Sequence, residues 1–254
     1  MIKLRLCLTF VLALALSACD HNPPRETHYA NGALWSSIHF ESGKPHGAWK
    51  TWYENEQIKS NGRFENGVRH GSWNAWYENG ERHYAGLYLH GLQEGLWETF
   101  HDNGERSSSG EFQAGKLEGT WCTWSRAGTL LTSVDYVDGE QAGTSLLNFP
   151  DGSPEIERHY AGGRLHGESI QYHANGQMLV RQQFKEGLQE GLYESWWPDG
   201  KPFQKGLYAA GKRSGPWSNW RPTGELNPAK SGLFEAGKRI APLPAMDSPR
   251  ESTD

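Results

Sequence analysis

The chain has 254 residues, of which 25 are Lys or Arg and 30 are Asp or Glu, giving a formal net charge of −5. The basic residues are scattered, so no surface that binds a nucleic-acid backbone is predicted. The mean hydropathy of −0.76 and the lack of any long apolar run after residue 18 exclude a protein with several membrane-spanning helices.

The first 18 residues have the features of a bacterial lipoprotein signal peptide. Lys3 and Arg5 precede an apolar run, Leu6 to Leu16, whose 11 residues are too few to cross a bilayer. The run ends in Leu16-Ser17-Ala18-Cys19, which resembles the lipobox, a motif whose cysteine is lipidated and becomes the mature N-terminus. We therefore expect Cys19 to carry acyl chains that anchor the protein to a membrane. The alternative is a soluble secreted protein with an incidental cysteine.

The residues after Cys19 indicate a compartment and a tether. Asp20 resembles the residue that retains lipoproteins in the inner membrane of enteric-type bacteria, which favours an inner-membrane anchor that faces the periplasm. A plain polar tether residue is the alternative. Residues 19–28, with Pro23-Pro24, have the composition of a tether, and residues 241–254 form a polar tail. Both segments are expected to be disordered.

Residues 29–240 repeat with a period of 24 residues, and two glycines four residues apart recur in eight successive units. These pairs begin with Gly43-x-x-x-Gly47 and end with Gly211-x-x-x-Gly215. An aromatic residue stands three positions before the first glycine, at Phe40, Phe64, Tyr88, Phe112, Tyr136, Tyr160, Phe184 and Tyr208. A period of this length predicts a repeat architecture and not a globule.

Turn-forming dipeptides define the repeating unit. They are Asn31-Gly32, Asn79-Gly80, Asn103-Gly104, Asp151-Gly152, Asn175-Gly176 and Asp199-Gly200. Such pairs are typical of a tight two-residue hairpin turn with positive φ angles. The sequence therefore predicts an all-β fold, a solenoid-like single antiparallel sheet of about nine consecutive β-hairpins. At roughly 4.8 Å per strand, about 18 strands would form a twisted ribbon on the order of 85 Å long.

Two more aromatic positions follow the second glycine in most units. The first is Trp49, Trp73, Trp97, Trp121, Tyr193 or Trp217, and the second is Trp52, Trp76, Phe100, Trp124, Tyr172, Trp196 or Trp220. The two rings are three residues apart, so either they project from opposite sheet faces or a bulge brings them together. Glycines within the preceding strands suggest a bulge or the close approach of a large ring, at Gly62, Gly86, Gly110, Gly206 and Gly232.

The rings are expected to form the core, and some are expected to remain exposed. The candidate binding face consists of Trp73, Trp76, Trp97, Trp121 and Trp124, with the exposed rings around Trp76 and Trp124. Ser145, Asn148, Pro150 and Ser169 interrupt the aromatic pattern, so we expect the ribbon to bend or weaken between Gly143 and Ile170.

The sequence contains no pattern typical of catalysis or of a cofactor site. His46, His70 and His166 share one phase of the repeat, but equivalent positions lie two strands apart, about 9.6 Å, which is too far for one zinc ion. Other units have Glu94 and Glu118 there, which favours a polar turn residue over a metal ligand. Cys122 stands alone among the repeats. We therefore expect a protein without enzymatic activity, metal or cofactor.

The segment from Gly71 to Gly80, with Phe64 to His70 before it, resembles the bacterial variant of the MORN repeat, of the type found in YwqK-family antitoxins. The likeness extends from Tyr29 to about Ile240, and the chain has Gly-x-Trp where the eukaryotic MORN unit has Gly-x-Gly. The resemblance implies a β-hairpin repeat protein that acts through protein contacts, in some relatives by neutralising a toxin.

Three functions are compatible with these features. The first is a membrane-anchored, non-catalytic scaffold whose sheet face binds a protein partner. The second is an antitoxin or immunity protein, whose toxin partner would have to reach the periplasm because of the predicted anchor. The third is glycan or peptidoglycan binding by exposed aromatic rings.

Overall fold

The computed structural model describes residues 23–243, which contain strands and turns and no helix. The predicted signal peptide, Cys19 and the last 11 residues of the predicted tail lie outside the described residues. The strands are β1 (Arg25–His28), β2 (Leu34–Glu41), β3 (Lys44–Trp52), β4 (Ile58–Glu65), β5 (Val68–Trp76), β6 (Arg82–Leu89), β7 (Leu92–Phe100), β8 (Arg106–Gln113), β9 (Lys116–Trp124), β10 (Leu130–Val137), β11 (Glu140–Asn148), β12 (Pro154–Ala161), β13 (Arg164–Tyr172), β14 (Met178–Lys185), β15 (Leu188–Trp196), β16 (Pro202–Ala209), β17 (Lys212–Asn219), β18 (Gly232–Glu235) and β19 (Lys238–Ala241).

Each strand pairs antiparallel with its neighbours in the chain, which produces one sheet of 19 strands. The register recurs from unit to unit, so that Trp49 faces Gly62 across β3 and β4 just as Trp73 faces Gly86 across β5 and β6. The prediction of an all-β sheet of consecutive hairpins is confirmed.

The first strand lies in the segment that was expected to be a disordered tether. Arg25–His28 pairs with β2, and the hydroxyls of Thr27 and Ser36 are hydrogen-bonded at 2.6 Å. Without β1, the outer backbone groups of β2 would need other partners, and the extended segment just upstream supplies them. The prediction of disorder is wrong for these four residues. It is also wrong for Ala241, which ends β19.

The two kinds of turn are the reverse of those predicted from the dipeptides. The tight two-residue turns lie at the first glycine of each unit, as where Glu41 pairs with Lys44 across Ser42-Gly43. Both turn residues have positive φ, 49° and 76°, which is the type I′ geometry that fits strand twist. Equivalent turns are Asn66-Gly67, His90-Gly91, Ala114-Gly115, Asp138-Gly139, Gly162-Gly163, Glu186-Gly187, Ala210-Gly211 and Ala236-Gly237.

The Asn-Gly dipeptides lie in longer loops of three residues. The amide of Tyr77 donates to the carbonyl of Glu81 at 2.8 Å, and the amide of Gly80 donates to the carbonyl of Tyr77 at 2.9 Å. Only Gly80 has positive φ, so the loop is a type I turn followed by a left-handed residue. Asn79 accepts the amide of Glu81 at 3.1 Å and donates to the carbonyl of Asp102 in the next hairpin at 2.6 Å. Asparagine therefore closes its own loop and links it to the next.

A second link between hairpins begins at the residue that opens this loop. Hydroxyls of Tyr29, Tyr53 and Tyr77 donate at 2.8 Å to the carbonyls of Trp52, Trp76 and Phe100, and Nε2 of His101 and His173 lies 3.0 Å from the carbonyls of Trp124 and Trp196. Because a carbonyl only accepts, Nε2 must carry the proton in both histidines. Tyrosine and histidine are interchangeable here because each is a ring that ends in a donor.

Replacing Tyr77 with phenylalanine is expected to lower the free energy of unfolding by about 0.5–1.5 kcal/mol, because the carbonyl of Phe100 loses its donor. Phenylalanine already occupies the equivalent position as Phe149, so the ring itself should fit. Urea unfolding of Tyr77→Phe and Tyr77→His measures the difference. Histidine should retain most of the stability, and an equal loss in both variants would contradict the assignment.

The core is a stack of rings on one face of the sheet, which we call the ring face. Trp73 is 1% exposed and lies against Trp49, stacked at 5.0 Å between ring centroids. The rings of Phe64 and Tyr88 pack edge-on at 5.2 and 5.8 Å, and the guanidinium of Arg69 covers Trp73 at 4.5 Å. Edge-on packing and an overlying cation both favour the indole ring. Trp73 is therefore enclosed by residues of its own hairpin and of the hairpins on either side.

Glycines lie directly beneath these rings. Cβ atoms added at Gly62, Gly86, Gly110 and Gly206 would come closer than 3.0 Å to the rings of Trp73, Trp97, Trp121 and Trp217. The predicted close approach of a large ring is confirmed at these four glycines. Gly232 differs, because its neighbours are Arg239 and the carbonyl of Ala241. Most repeats without a tryptophan over the glycine also lack the glycine, which stands 11 residues earlier. The pairs are Val134 with Ser145, Arg158 with Ser169 and Gln182 with Tyr193. The first repeat is an exception, because Trp49 is preceded by Ile38.

The ring stack is interrupted in the middle of the sheet, but strand pairing is not. Among residues 23–243, ring contacts on the ring face run from Trp49 to Trp121 and again from Tyr193 to Phe234. Between them, β11 and β12 keep their register from Gly143 to Leu147. Where Ser145 and Ser169 replace the aromatic residue, the sheet therefore loses ring packing and keeps its strand pairing. A bend at this point stays a prediction.

Candidate functional site

The five tryptophans of the predicted binding face are divided between the two faces of the sheet. Trp73 and Trp97 lie on the ring face with 1% and 7% of their surface exposed, and Trp121 continues the same stack. Trp76 and Trp124 come three residues after a stacked ring, and the extra residue of the bulge beside each lies in the partner strand. Alternation along their own strands therefore places them on the opposite face, where both are half-buried. Both faces therefore carry rings. The burial of Trp73 and Trp97 removes them from any accessible binding face.

Arginines alternate with rings on the opposite face. We call this surface the open face and define it by Trp76, Phe100, Trp124, Arg82, Arg106, Leu87 and Leu96. Arg82 pairs with Trp76 across β5 and β6, and its guanidinium lies 5.7 Å from the centre of the Phe100 ring in the next hairpin. Arg106 pairs with Phe100 and lies 5.4 Å from the centre of the Trp124 ring. Each arginine thus joins two successive hairpins through ring faces.

Two leucines add exposed apolar surface to the open face. Leu87 and Leu96 are 39% and 54% exposed, and strand alternation places Leu96 on the same side as Glu98 and Phe100. Glu98 forms a 2.9 Å ion pair with Arg106 between the leucine and the rings. Sequence reasoning missed these leucines because it followed only the aromatic positions. The sequence does contain a signal, because the neighbouring repeats have small or polar residues at the position of Leu96. These residues are Ala48, Ser72 and Thr120.

The same pair of positions carries leucines near the other end of the sheet. Leu192 and Leu207 face each other across β15 and β16 and are 40% and 44% exposed. They correspond to Leu96 and Leu87 by the 24-residue period. The chain therefore offers a matched control for substitutions on the open face.

The histidine phase of the repeat serves mostly to link hairpins. Nδ1 of His46 accepts the amide of Asn66 in the next tight turn at 3.4 Å. Glutamates at the equivalent positions accept the same amide at 2.8–3.0 Å, in the pairs Glu94 with Ala114, Glu118 with Asp138 and Glu190 with Ala210. A histidine nitrogen and a carboxylate both accept hydrogen bonds, which explains their exchange. The prediction of a turn residue is wrong for His46, which lies within β3 and bonds the turn of the next hairpin.

The shifted pKa values belong to groups that hold the sheet together. Burial raises the pKa of Tyr84, against a smaller opposite effect of Arg69. Burial also raises the pKa of Tyr53, which keeps its hydroxyl protonated for the bond to the carbonyl of Trp76. In a hairpin loop, hydrogen bonds from Ser153 lower the pKa of Asp151. For Tyr53 and Asp151 the shift accompanies a hydrogen bond that holds the sheet or a loop together.

Two cysteines remain after the predicted signal peptide is removed, Cys19 as the predicted anchor and Cys122 in the repeats. Cys19 lies outside the described residues. Between residues 23 and 243, no helix is both long and apolar enough to traverse a lipid bilayer. Cys122 lies in β9 with its Sγ 3.7 Å from the hydroxyl of Ser133.

Comparison with known proteins supports the repeat assignment. Residues 45–66, 165–186 and 189–210 match the MORN repeat variant family, which confirms the predicted resemblance at these three segments. No curated protein matches the chain. A chain of the Tc holotoxin pore of Photorhabdus luminescens is similar over 85% of this chain and 14% of its own length, with 11% identity and a TM-score of 0.22.

Proposed function

We propose that this chain is a non-catalytic repeat module of the cell envelope, anchored through lipidated Cys19, which binds a protein partner with its open face. The observation that carries the proposal is the row of half-buried rings and arginines beside Leu87 and Leu96. Tryptophan and arginine dominate the binding energy of protein interfaces, and exposed leucines extend the apolar contact.

The size of the open face fits a specific complex. The strands that carry it, β5–β9, extend roughly 24 Å across the sheet and about 27 Å along their length, which offers about 650 Å², within the range of about 600–1,000 Å² that each partner of a specific complex uses. A standard protein interface uses about 800 Å² on each partner. The face is also prearranged, because Arg82 and Arg106 already lie against rings of the next hairpin, which limits the entropy lost on binding.

The envelope location rests on the lipobox that ends at Cys19 and on Asp20 after it. Membrane fractionation of cells that produce the protein and its Cys19→Ser variant tests the anchor. The wild type is expected in the membrane fraction and the variant in the soluble periplasmic fraction. A variant that stays membrane-bound would refute lipid anchoring while leaving the open face untouched.

The binding proposal is tested by affinity capture from envelope extracts. The Leu96→Glu variant should lose its partner, because a charge in the centre of an apolar contact is left desolvated. The Leu192→Glu variant, at the equivalent position 96 residues away, should retain it. Equal capture by both variants, or no saturable partner with the wild type, would refute the proposal.

The captured protein also distinguishes the narrower alternatives. A toxin that this chain neutralises would establish the antitoxin or immunity role. Quenching of tryptophan fluorescence by peptidoglycan fragments, lost in Trp124→Ser, would establish glycan binding instead of a protein partner.

A further inference from the structure

Three side chains that can bind a metal come from two successive hairpins and meet beside their tight turns, along one side of the ribbon. Glu65 ends β4, His70 lies in β5 and His90 opens the tight turn after β6. Their ligand atoms all lie within 4.8 Å of one another. Nδ1 of His70 is 3.2 Å from the carboxylate of Glu65, and the rings of His70 and His90 are 5.5 Å apart between centroids.

His70 departs from the equivalent residue in other repeats. His46, Glu94, Glu118 and Glu190 each accept the amide of the first residue in the following tight turn. For His70 that residue is His90, and the structure shows no such bond between them among the described residues. Instead, Nδ1 of His70 is buried and has no hydrogen-bond partner within residues 23–243. A buried ring nitrogen that lies beside a carboxylate without a hydrogen bond is a position where a metal ion would supply the missing partner.

We propose that Glu65, His70 and His90 bind a divalent transition-metal ion of the zinc type. Two imidazole nitrogens and one carboxylate oxygen form a set that Zn²⁺ binds tetrahedrally, with bonds of about 2.0–2.2 Å. Ligand atoms in such a tetrahedron are about 3.4 Å apart. The pair of His70 and Glu65 already has that spacing, and the exposed His90 needs a small rotation to complete it. The fourth position remains for water or a partner's side chain.

The geometry also explains why the site cannot be predicted from any one position of the 24-residue repeat. The three residues occupy three different positions of the repeat, and they meet only because hairpins lie side by side. The preceding hairpin has the same first two groups, with Nδ1 of His46 3.3 Å from the carboxylate of Glu41. There the third residue is Asn66, and its backbone amide donates a hydrogen bond to Nδ1 of His46. Arg69 donates to the hydroxyl of Tyr88 at 2.9 Å and covers the Trp73 ring, so its guanidinium is engaged away from Glu65.

Zn²⁺ titration of the purified full-length protein by calorimetry tests the site. One ion per chain is expected, and the His90→Ala variant should weaken binding at least about tenfold. Alanine is already present at the equivalent turn positions Ala114 and Ala210 with φ of 49° and 48°, against 50° for His90, so the variant should fold. A circular dichroism spectrum checks this. Binding unchanged in His90→Ala, or no binding by the wild type, would overturn the proposal.

The preceding hairpin provides an independent control. Asn66→His adds a third side chain beside Glu41 and His46, but the backbone amide of residue 66 still donates to Nδ1 of His46, so the stoichiometry should stay at one Zn²⁺. His46→Glu should likewise leave the single wild-type ion in place. Co²⁺ absorption should show tetrahedral bands in the wild type and lose them in His90→Ala. A second ion bound by Asn66→His would show that an unoccupied Nδ1 does not define the site.

Discussion

Replacing Trp73 with alanine is expected to lower the free energy of unfolding by about 3–5 kcal/mol, which is typical for loss of a large buried aromatic side chain. Trp73 is 1% exposed and contacts Trp49, Phe64 and Tyr88. The glycine beneath it, Gly62, has no side chain that could fill the resulting cavity. Urea unfolding measures the loss, and hydrogen exchange should show it most strongly in β3–β6.

The matched control is Trp35, a tryptophan of β2 that is 48% exposed. Trp35→Ala should change stability by no more than about 0.5 kcal/mol, as is usual for a surface position. A similar cost for both tryptophans would contradict a core built on the ring face. The comparison separates the loss of an enclosed ring from the general loss of an aromatic residue.

Gly86→Val is expected to destabilise the sheet by about 1–3 kcal/mol or more, because added carbons overlap a packed ring. A Cβ atom at this position would stand closer than 3.0 Å to the ring of Trp97, which is itself 7% exposed. The backbone of Gly86 has no left-handed φ, so steric overlap and not backbone strain accounts for the cost.

The chain itself suggests how to relieve this overlap. Val134 and Ser145 occupy the equivalent positions two repeats later and are paired directly across β10 and β11. In the Gly86→Val background, Trp97→Ser should therefore cost much less than it does in the wild type. Thermal unfolding of both single variants and the double variant gives the coupling energy. Strictly additive costs would show that glycine and tryptophan are not complementary.

The 24-residue period was sufficient to predict the sheet, because each repeat supplies the same strands and turns. It did not reveal which dipeptide forms the tight turn, since Asn79-Gly80 and Ser42-Gly43 both contain a residue that tolerates positive φ. The difference depends on how many residues separate paired positions, such as Glu41 and Lys44, and only the strand register supplies that number.

The candidate binding face could be predicted in part. The three-residue spacing of Trp73 and Trp76 predicted either rings on both faces or a bulge that brings them together, and the first alternative is correct. The sequence did not tell which of the two faces is buried. Burial follows from the glycines, because a ring can lie flat on the sheet only where Gly62 leaves room. The group of Glu65, His70 and His90 escaped sequence reasoning because it joins different positions of two repeats.

Every extensive contact between strands in residues 23–243 joins neighbours along the chain. A pulling force along the ribbon would therefore be borne by the hairpins in series, and the molecule would lengthen one hairpin at a time. The serine-bearing strands β11 and β13, which lack stacked rings, would yield first.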